Sequence, residues 1–154
     1  TIAWAWRNDA VEAREYNIIN KHNLTDYINF TGQVTGADKN KLFSEHHVFV
    51  FPPLEPEGLP WVILEAMSAS LPVISTNQGA ISEVVIDQQT GFIITPTPKT
   101  IAQKICYLFE NPHLARQMGM LGRKRVEQLF SEEVYVRNII NTFKNVLPGS
   151  ERKI

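Results

Sequence analysis

Short apolar runs alternate with stretches whose apolar residues recur every three to four positions, in strand–helix order along most of the chain. That alternation is the signature of an α/β domain on a mainly parallel sheet, because each parallel strand needs a crossover before the next. The opening Thr1-Ile2-Ala3-Trp4-Ala5-Trp6 reads as a strand and Asp9 to His22 as a helix. A short strand is expected at Tyr27–Phe30, a turn between Gly32 and Gly36, and a short helix over Ala37–Phe43. His47-Val48-Phe49-Val50-Phe51 is a continuous apolar run stopped by Pro52-Pro53, the pattern of a strand buried on both faces. A helix over Pro60–Ser70 and a strand at Pro72–Thr76 come next. A loop at Asn77–Ala80, a short helix ending near Val85 and a last strand at Phe92–Ile94 follow. From Pro98 onward the pattern is helical, broken at Asn111-Pro112 and Phe130-Ser131. Ser131 followed by Glu132 and Glu133 has the make-up of a helix start. The expected fold is one doubly wound α/β domain with a helical C-terminal end.

Composition narrows the function classes. A chain of 154 residues with 44% hydrophobic and 20% charged residues is sized and balanced for one globular domain with its own core. A net charge of −1 offers no electrostatic footprint for nucleic acid. Cys106 is the only cysteine, so there is no internal disulfide and no thiolate cluster for zinc, and a cytoplasmic setting is expected. His46 and His47 have no metal-ligand partners at useful spacing. The chain opens inside a strand pattern without an initiator Met, which leads us to expect a piece of a longer protein.

The chemistry concentrates in Glu57-Gly58-Leu59-Pro60-Trp61-Val62-Ile63-Leu64-Glu65. Glu57 lies in a Pro/Gly-rich loop, where a carboxylate is available to a ligand. Glu65 is embedded in an otherwise apolar helix pattern, where a charge needs a specific partner. Gly58 and Pro60 mark the junction, and a helix starting there turns its opening N–H groups and positive dipole end toward the loop. Such a site suits an anion such as a diphosphate, with two carboxylates to accept hydrogen bonds from hydroxyls. In open parallel sheets ligands sit outside the carboxyl ends of the strands. The loops Pro52–Leu59 and Asn77–Ile81 both follow strands, so Glu57 and Gly79 are expected at one edge of the sheet. Trp61 reads as a core residue of the first helical turn, Glu83 as part of a surface helix, and Arg123-Lys124-Arg125 with Arg116 as a solvated face. His22 and His113 read as helix-end residues where a cation is favourable. Arg7, Asn8 and Arg14 are weaker candidates for a phosphate.

These motifs, taken in order, resemble a known family. Pro53…Glu57-Gly58-Leu59-Pro60…Glu65-Ala66-Met67-Ser68-Ala69…Leu71-Pro72-Val73-Ile74 is similar to the nucleotide-binding half of retaining GT-B glycosyltransferases (glycosyl transferases group 1). The likeness continues through Gly79-Ala80-Ile81-Ser82-Glu83, Thr90-Gly91-Phe92-Ile93, Met118-Gly119…Gly122-Arg123-Lys124-Arg125-Val126 and Phe130-Ser131, covering roughly Leu24 to Phe143. The resemblance implies the C-terminal, Rossmann-like domain of a two-domain enzyme, here residues 1–147 without the first strand, with 148–154 as a tail. Glu57 would contact hydroxyls of the donor sugar and act at the catalytic centre. Gly58, Leu59, Pro60 and Gly79 would line the donor, and Glu65 would take the ribose hydroxyls. The substrate would be a nucleoside-diphosphate sugar, with no cofactor and no metal. A sugar, lipid or other hydroxyl acceptor would be held by an N-terminal domain outside this chain, and peripheral contact with the inner face of a membrane is left open. Three positions depart from the family pattern: Ser70 and Ala80 stand where glycines are common, and Arg7-Asn8-Asp9 replaces a glycine-rich turn. The alternatives are a GT-B-type sugar-nucleotide epimerase and a non-catalytic nucleotide-binding module.

Overall fold

The computed structural model describes residues 9–56 and 58–146, with side chains from residue 13 onward. The chain divides into two compact units, Thr1–Leu42 and Phe43–Ile154. The expected opening strand at Thr1–Trp6 lies outside the described residues.

In the first unit, α1 (Asp9–Lys21) ends one residue before the expected His22, with Lys21 in its last turn. The expected strand at Tyr27–Phe30 does not form. Tyr27 closes a turn through its N–H to the Leu24 carbonyl at 3.0 Å, and Phe30 alone occupies a β-bridge position. Local polar groups win here: the Thr25 hydroxyl meets the Asn20 amide oxygen at 3.3 Å, a bond within the turn rather than across a ladder. Phe30 instead packs on Tyr16, with ring centroids 5.2 Å apart. Gly32 and Gly36 both adopt positive φ, as a turn between them requires, and Gly36 opens α2 (Gly36–Glu45).

The second unit holds a parallel three-stranded sheet in the order β1 (Phe49–Phe51), β2 (Val73–Ser75), β3 (Gly91–Ile93). Val50 is in register with Ile74, and Ile74 with Phe92. All of β2 is buried. Phe49, Val50 and Phe51 are only half-buried, short of the two-sided burial expected from their apolar run, because among the described strands β1 has a neighbour on one side only. Alternate residues feed two cores. Val73, with Phe49, Phe51 and Ile93 beside it, joins Ile63, Leu64 and Met67 of α3 (Trp61–Ser68), Ile81 and Val84 of α4 (Ile81–Val84), and Val126 of α6 (Pro112–Leu129). Ile74 and Phe92 join Leu108 of α5 (Pro98–Glu110) and Met118 of α6. Helices therefore cover both faces of the sheet, as the doubly wound pattern requires.

The helix boundaries follow local chemistry where such chemistry exists. Thr97 caps α5 in a reciprocal box with Thr100, and Pro98 follows at the first helical position. The Asn111 side chain donates to the Tyr107 carbonyl at 2.8 Å and Pro112 opens α6. α7 (Glu132–Val146) starts where the Ser131 hydroxyl accepts from the Val134 N–H.

Candidate functional site

The loops leaving the carboxyl ends of β1 and β2 are tied together by four hydrogen bonds. The Ser75 hydroxyl donates to the Phe51 carbonyl at 2.6 Å and the Thr76 hydroxyl to the Pro53 carbonyl at 2.9 Å. The Gln78 side-chain amide reaches the Leu54 carbonyl at 3.4 Å, and the Ala80 N–H donates to the Gly58 carbonyl at 3.1 Å. Ser75 and Thr76 are buried, where a hydroxyl without a partner would cost about 1–3 kcal/mol. The bonds satisfy them and hold the Pro52–Leu59 loop against the Asn77–Ala80 loop. Gly58 and Gly79 thus stand at one edge of the sheet. Neither hydroxyl stood out in the sequence. Their only signal was their place at the end of a buried apolar strand.

α3 begins at this edge. Pro60 is its N-cap, with φ −67° and ψ 112°, one residue outside the helix rather than in its first turn. Pro60 makes no side-chain cap hydrogen bond and the first turn of α3 carries no acid, so neither the N-cap nor the first turn supplies the usual devices that neutralise a positive helix end. Leu59 sends its side chain toward the core around Ile63 and Val73, which leaves the backbone of Gly58 and Pro60 at the edge. Glu65 is half-buried in the middle of α3. It shares the helix face of Trp61 and Ser68, at the four- and three-residue steps that bring side chains into line. Gly79 holds φ +53°, a backbone that side-chain-bearing residues rarely adopt. Glu57, the first acid of the pair, lies outside the described residues.

Several expectations are corrected. Trp61 is not a core residue: it is 76% exposed, because Ile63, Leu64, Ala66 and Met67 take the buried faces of so short a helix. Arg125 is not part of a solvated face. Its guanidinium donates to the Val84 carbonyl at 2.9 Å and the Glu83 carbonyl at 2.7 Å, satisfying the C-terminal end of α4. Arg123 does lie exposed, paired with Glu127 one turn on at 2.7 Å. His113 falls in the first turn of α6, the end at which a cation is disfavoured. Glu83 is exposed on α4, as expected for a surface helix. Arg7 and Asn8 lie outside the described residues. Arg14 belongs to the first unit, where it lines an open depression of about 530 Å³ on α1 with Ala13, Asn17, Ile18 and Lys21. Among the described residues that depression is lined by no carboxylate.

Two of the departures from the family pattern are resolved by backbone geometry. Ala80 sits at φ −90°, where alanine is unstrained. Ser70 sits at φ +63°, just past the end of α3. The Ser70 N–H donates to the Met67 carbonyl and the Leu71 N–H to the Ala66 carbonyl, the double bond of a left-handed helix stop. The helix expected through Ser70 therefore ends at Ser68. Gly119 explains the tightness of this stop. A Cβ on it would lie 1.9 Å from the Ser70 carbonyl oxygen, so α6 meets the turn at backbone contact.

A parallel sheet covered on both faces by helices is the architecture of the C-terminal domain of GT-B glycosyltransferases, and solved structures agree. The C-terminal domain of a group 1 glycosyl transferase (LpcC) from Francisella tularensis superposes with TM-score 0.74 at 22% identity, covering 82% of this chain and 65% of that one. Anabaena Alr3699/HepE, solved in complex with UDP, superposes with TM-score 0.82 at 22% identity, covering 93% and 40%. The family profile described as "Glycosyl transferases group 1" matches residues 8–125, and the chain belongs to that family. The capsular polysaccharide biosynthesis glycosyltransferase CapM of Staphylococcus aureus is 35% identical over 118 residues, 76% of this chain and 31% of CapM. The chain spans about a third of the length of such relatives. No helix among the described residues is long and apolar enough to cross a membrane, and no group of three or more His, Cys, Asp or Glu there could hold a metal ion.

Proposed function

We propose that this chain is the donor-binding domain of a retaining glycosyltransferase, which moves a sugar from a nucleoside-diphosphate sugar to a hydroxyl acceptor. The observation that carries the reading is the N-terminal end of α3, to which Pro60 and the first turn bring no capping side chain and no acid, held at the carboxyl edge of the sheet by the Ala80–Gly58 and Thr76–Pro53 bonds. A diphosphate placed there meets backbone N–H groups and the positive helix end, and these stabilise it as charge develops on the leaving group. No metal is needed for that task. Glu65, one turn into the helix, takes the ribose hydroxyls, and Glu57 takes hydroxyls of the sugar. The backbone of Gly58, Leu59, Pro60 and Gly79 lines the donor. The acceptor is held by a part of the enzyme outside these residues, and closure of the two parts excludes water from the reacting centre. With no nucleophile among the donor-lining residues other than Glu57, which positions the sugar, the acceptor attacks from the face the diphosphate leaves. The anomeric configuration is therefore kept. The complexes of HepE with UDP and with UDP-glucose support the donor class.

Calorimetry of the chain with UDP, GDP and ADP and their common sugar conjugates tests this. Glu65→Ala is expected to weaken the bare nucleotides and their conjugates alike, by about tenfold for lost charge-assisted hydrogen bonds. Glu57→Ala is expected to weaken the conjugates alone. Equal losses for both ligand classes in both variants contradict the separate roles, and absence of nucleotide binding removes the reading. With the intact enzyme, an NMR time course that shows β-linked product from an α-linked donor excludes retention. A changed nucleotide sugar released without acceptor identifies an epimerase instead.

A further inference from the structure

Trp61 has no structural employment. It is 76% exposed, the other large side chains of α3 fill the core without it, and it makes no ring or cation–ring contact among the described residues. It nevertheless occupies the first position of α3, at the edge built by the Gly58 and Gly79 loops. Helical Cα–Cβ bonds tilt toward the N-terminus, so an indole at this position stands over the loop that precedes it rather than over Glu65. Glu65 is on the same face but four residues further along, about 6 Å down the axis.

We propose that Trp61 is a specificity-determining residue whose indole packs against the hexopyranosyl ring of the donor. The inference rests on the donor-site reading above. If Glu65 holds the ribose and the helix start holds the diphosphate, the sugar lies beyond the helix start, on the loop side where the indole stands. A pyranose offers hydroxyls around its rim and C–H groups on its faces. Carboxylates and backbone groups serve the rim, and only an apolar plane serves the face. Indole supplies the largest such plane of any side chain at low cost in conformational freedom. A stacked indole also shields the anomeric carbon from water on one side, which favours transfer over hydrolysis.

The test compares bare and sugar-bearing nucleotides, UDP with UDP-glucose and GDP with GDP-mannose, on the wild-type chain, Trp61→Phe and Trp61→Ala. The exposure of Trp61 makes both variants safe for folding. Trp61→Ala is expected to weaken the sugar conjugate about tenfold and the bare nucleotide less than about twofold, with Trp61→Phe recovering most of the loss. Acrylamide quenching gives a second readout, since the difference between wild type and Trp61→Phe isolates the Trp61 emission from Trp4 and Trp6. The sugar conjugate is expected to protect that emission and the bare nucleotide to leave it open. Equal protection by the bare nucleotide overturns the proposal, because the indole then meets base or phosphate. So do unchanged affinity and quenching at saturating sugar conjugate. If the wild type binds no nucleotide at all, the donor-site reading itself fails and this inference falls with it.

Discussion

α3 and α7 are held in place by opposite means. α3 begins at a proline with no capping side chain and no acid in its first turn, yet Ile63, Ala66 and Met67 are fully buried. α7 begins at Ser131, whose hydroxyl accepts from the Val134 N–H, and carries Glu132 and Glu133 in its first turn, yet none of its residues is buried. Each fully buried Ile or Met side chain contributes about 1.5–3 kcal/mol, against about 1 kcal/mol for a cap, and α3 buries more than one such side chain. A helix anchored by its core can leave its start unneutralised. A helix without a core must carry its own start signals. The difference teaches where to look for a ligand. The helix end without a cap from its N-cap residue is the one that tertiary packing holds, and it is the one at the carboxyl edge of the sheet.

The largest break in this contrast comes from Gly119→Ala. The new methyl collides with the Ser70 carbonyl and drives α6 off the end of α3, so global stability is expected to fall by about 3 kcal/mol, read from chemical denaturation. An unchanged denaturation midpoint would show that α3 does not depend on that backbone contact. Ser131→Ala should cost about 1 kcal/mol, but locally, as faster amide exchange in the first turn of α7 with little change in the core. A global loss would mean that α7 is as integral as α3. Ser70→Gly sharpens the comparison from the other side. Relieving the positive φ at the helix stop is expected to raise stability by about 0.5–1 kcal/mol, net of the added freedom of the unfolded chain.

The smallest effect is that of pH on α7. The hydrogen bond with Ser131, followed by that with its own backbone, holds the Glu133 carboxyl below its usual value of 4.5. A depressed carboxyl contributes stability that is complete above 4.5 and is lost as pH falls through the lower folded value. Protection of the first-turn amides of α7, taken relative to their intrinsic exchange at each pH, is expected to fall over that acid window in the wild type. Glu133→Gln should flatten the dependence, and α3 should show none of it.

Much of this was legible in the chain. The breaks at Asn111-Pro112 and Phe130-Ser131 and the Pro98 start of α5 follow from capping and turn chemistry acting over a few residues, while β2 and β3 were placed to within one residue at each end. The place of Glu65 was legible too, because a charge inside an apolar helical pattern is conspicuous, and it lies half-buried within α3. Tyr27–Phe30 was misread, since its apolar residues satisfied a strand pattern while Asn20 and Thr25 offered the backbone a turn. Trp61 was misread as core because an apolar residue at a helix start carries no mark of which way it faces.

The sequence alone determined the alternation of strands and helices from β1 onward and the parallel α/β class, since periodicity, caps and strand-ending loops act at short range. Only the tertiary structure decided that Arg125 closes α4 from 41 residues away, that Ser75 and Thr76 tie one loop to the other, and that Trp61 stays in solvent. Those outcomes depend on which surfaces meet across the sheet. Such meetings are set by packing between residues far apart in the chain, to which no local pattern has access.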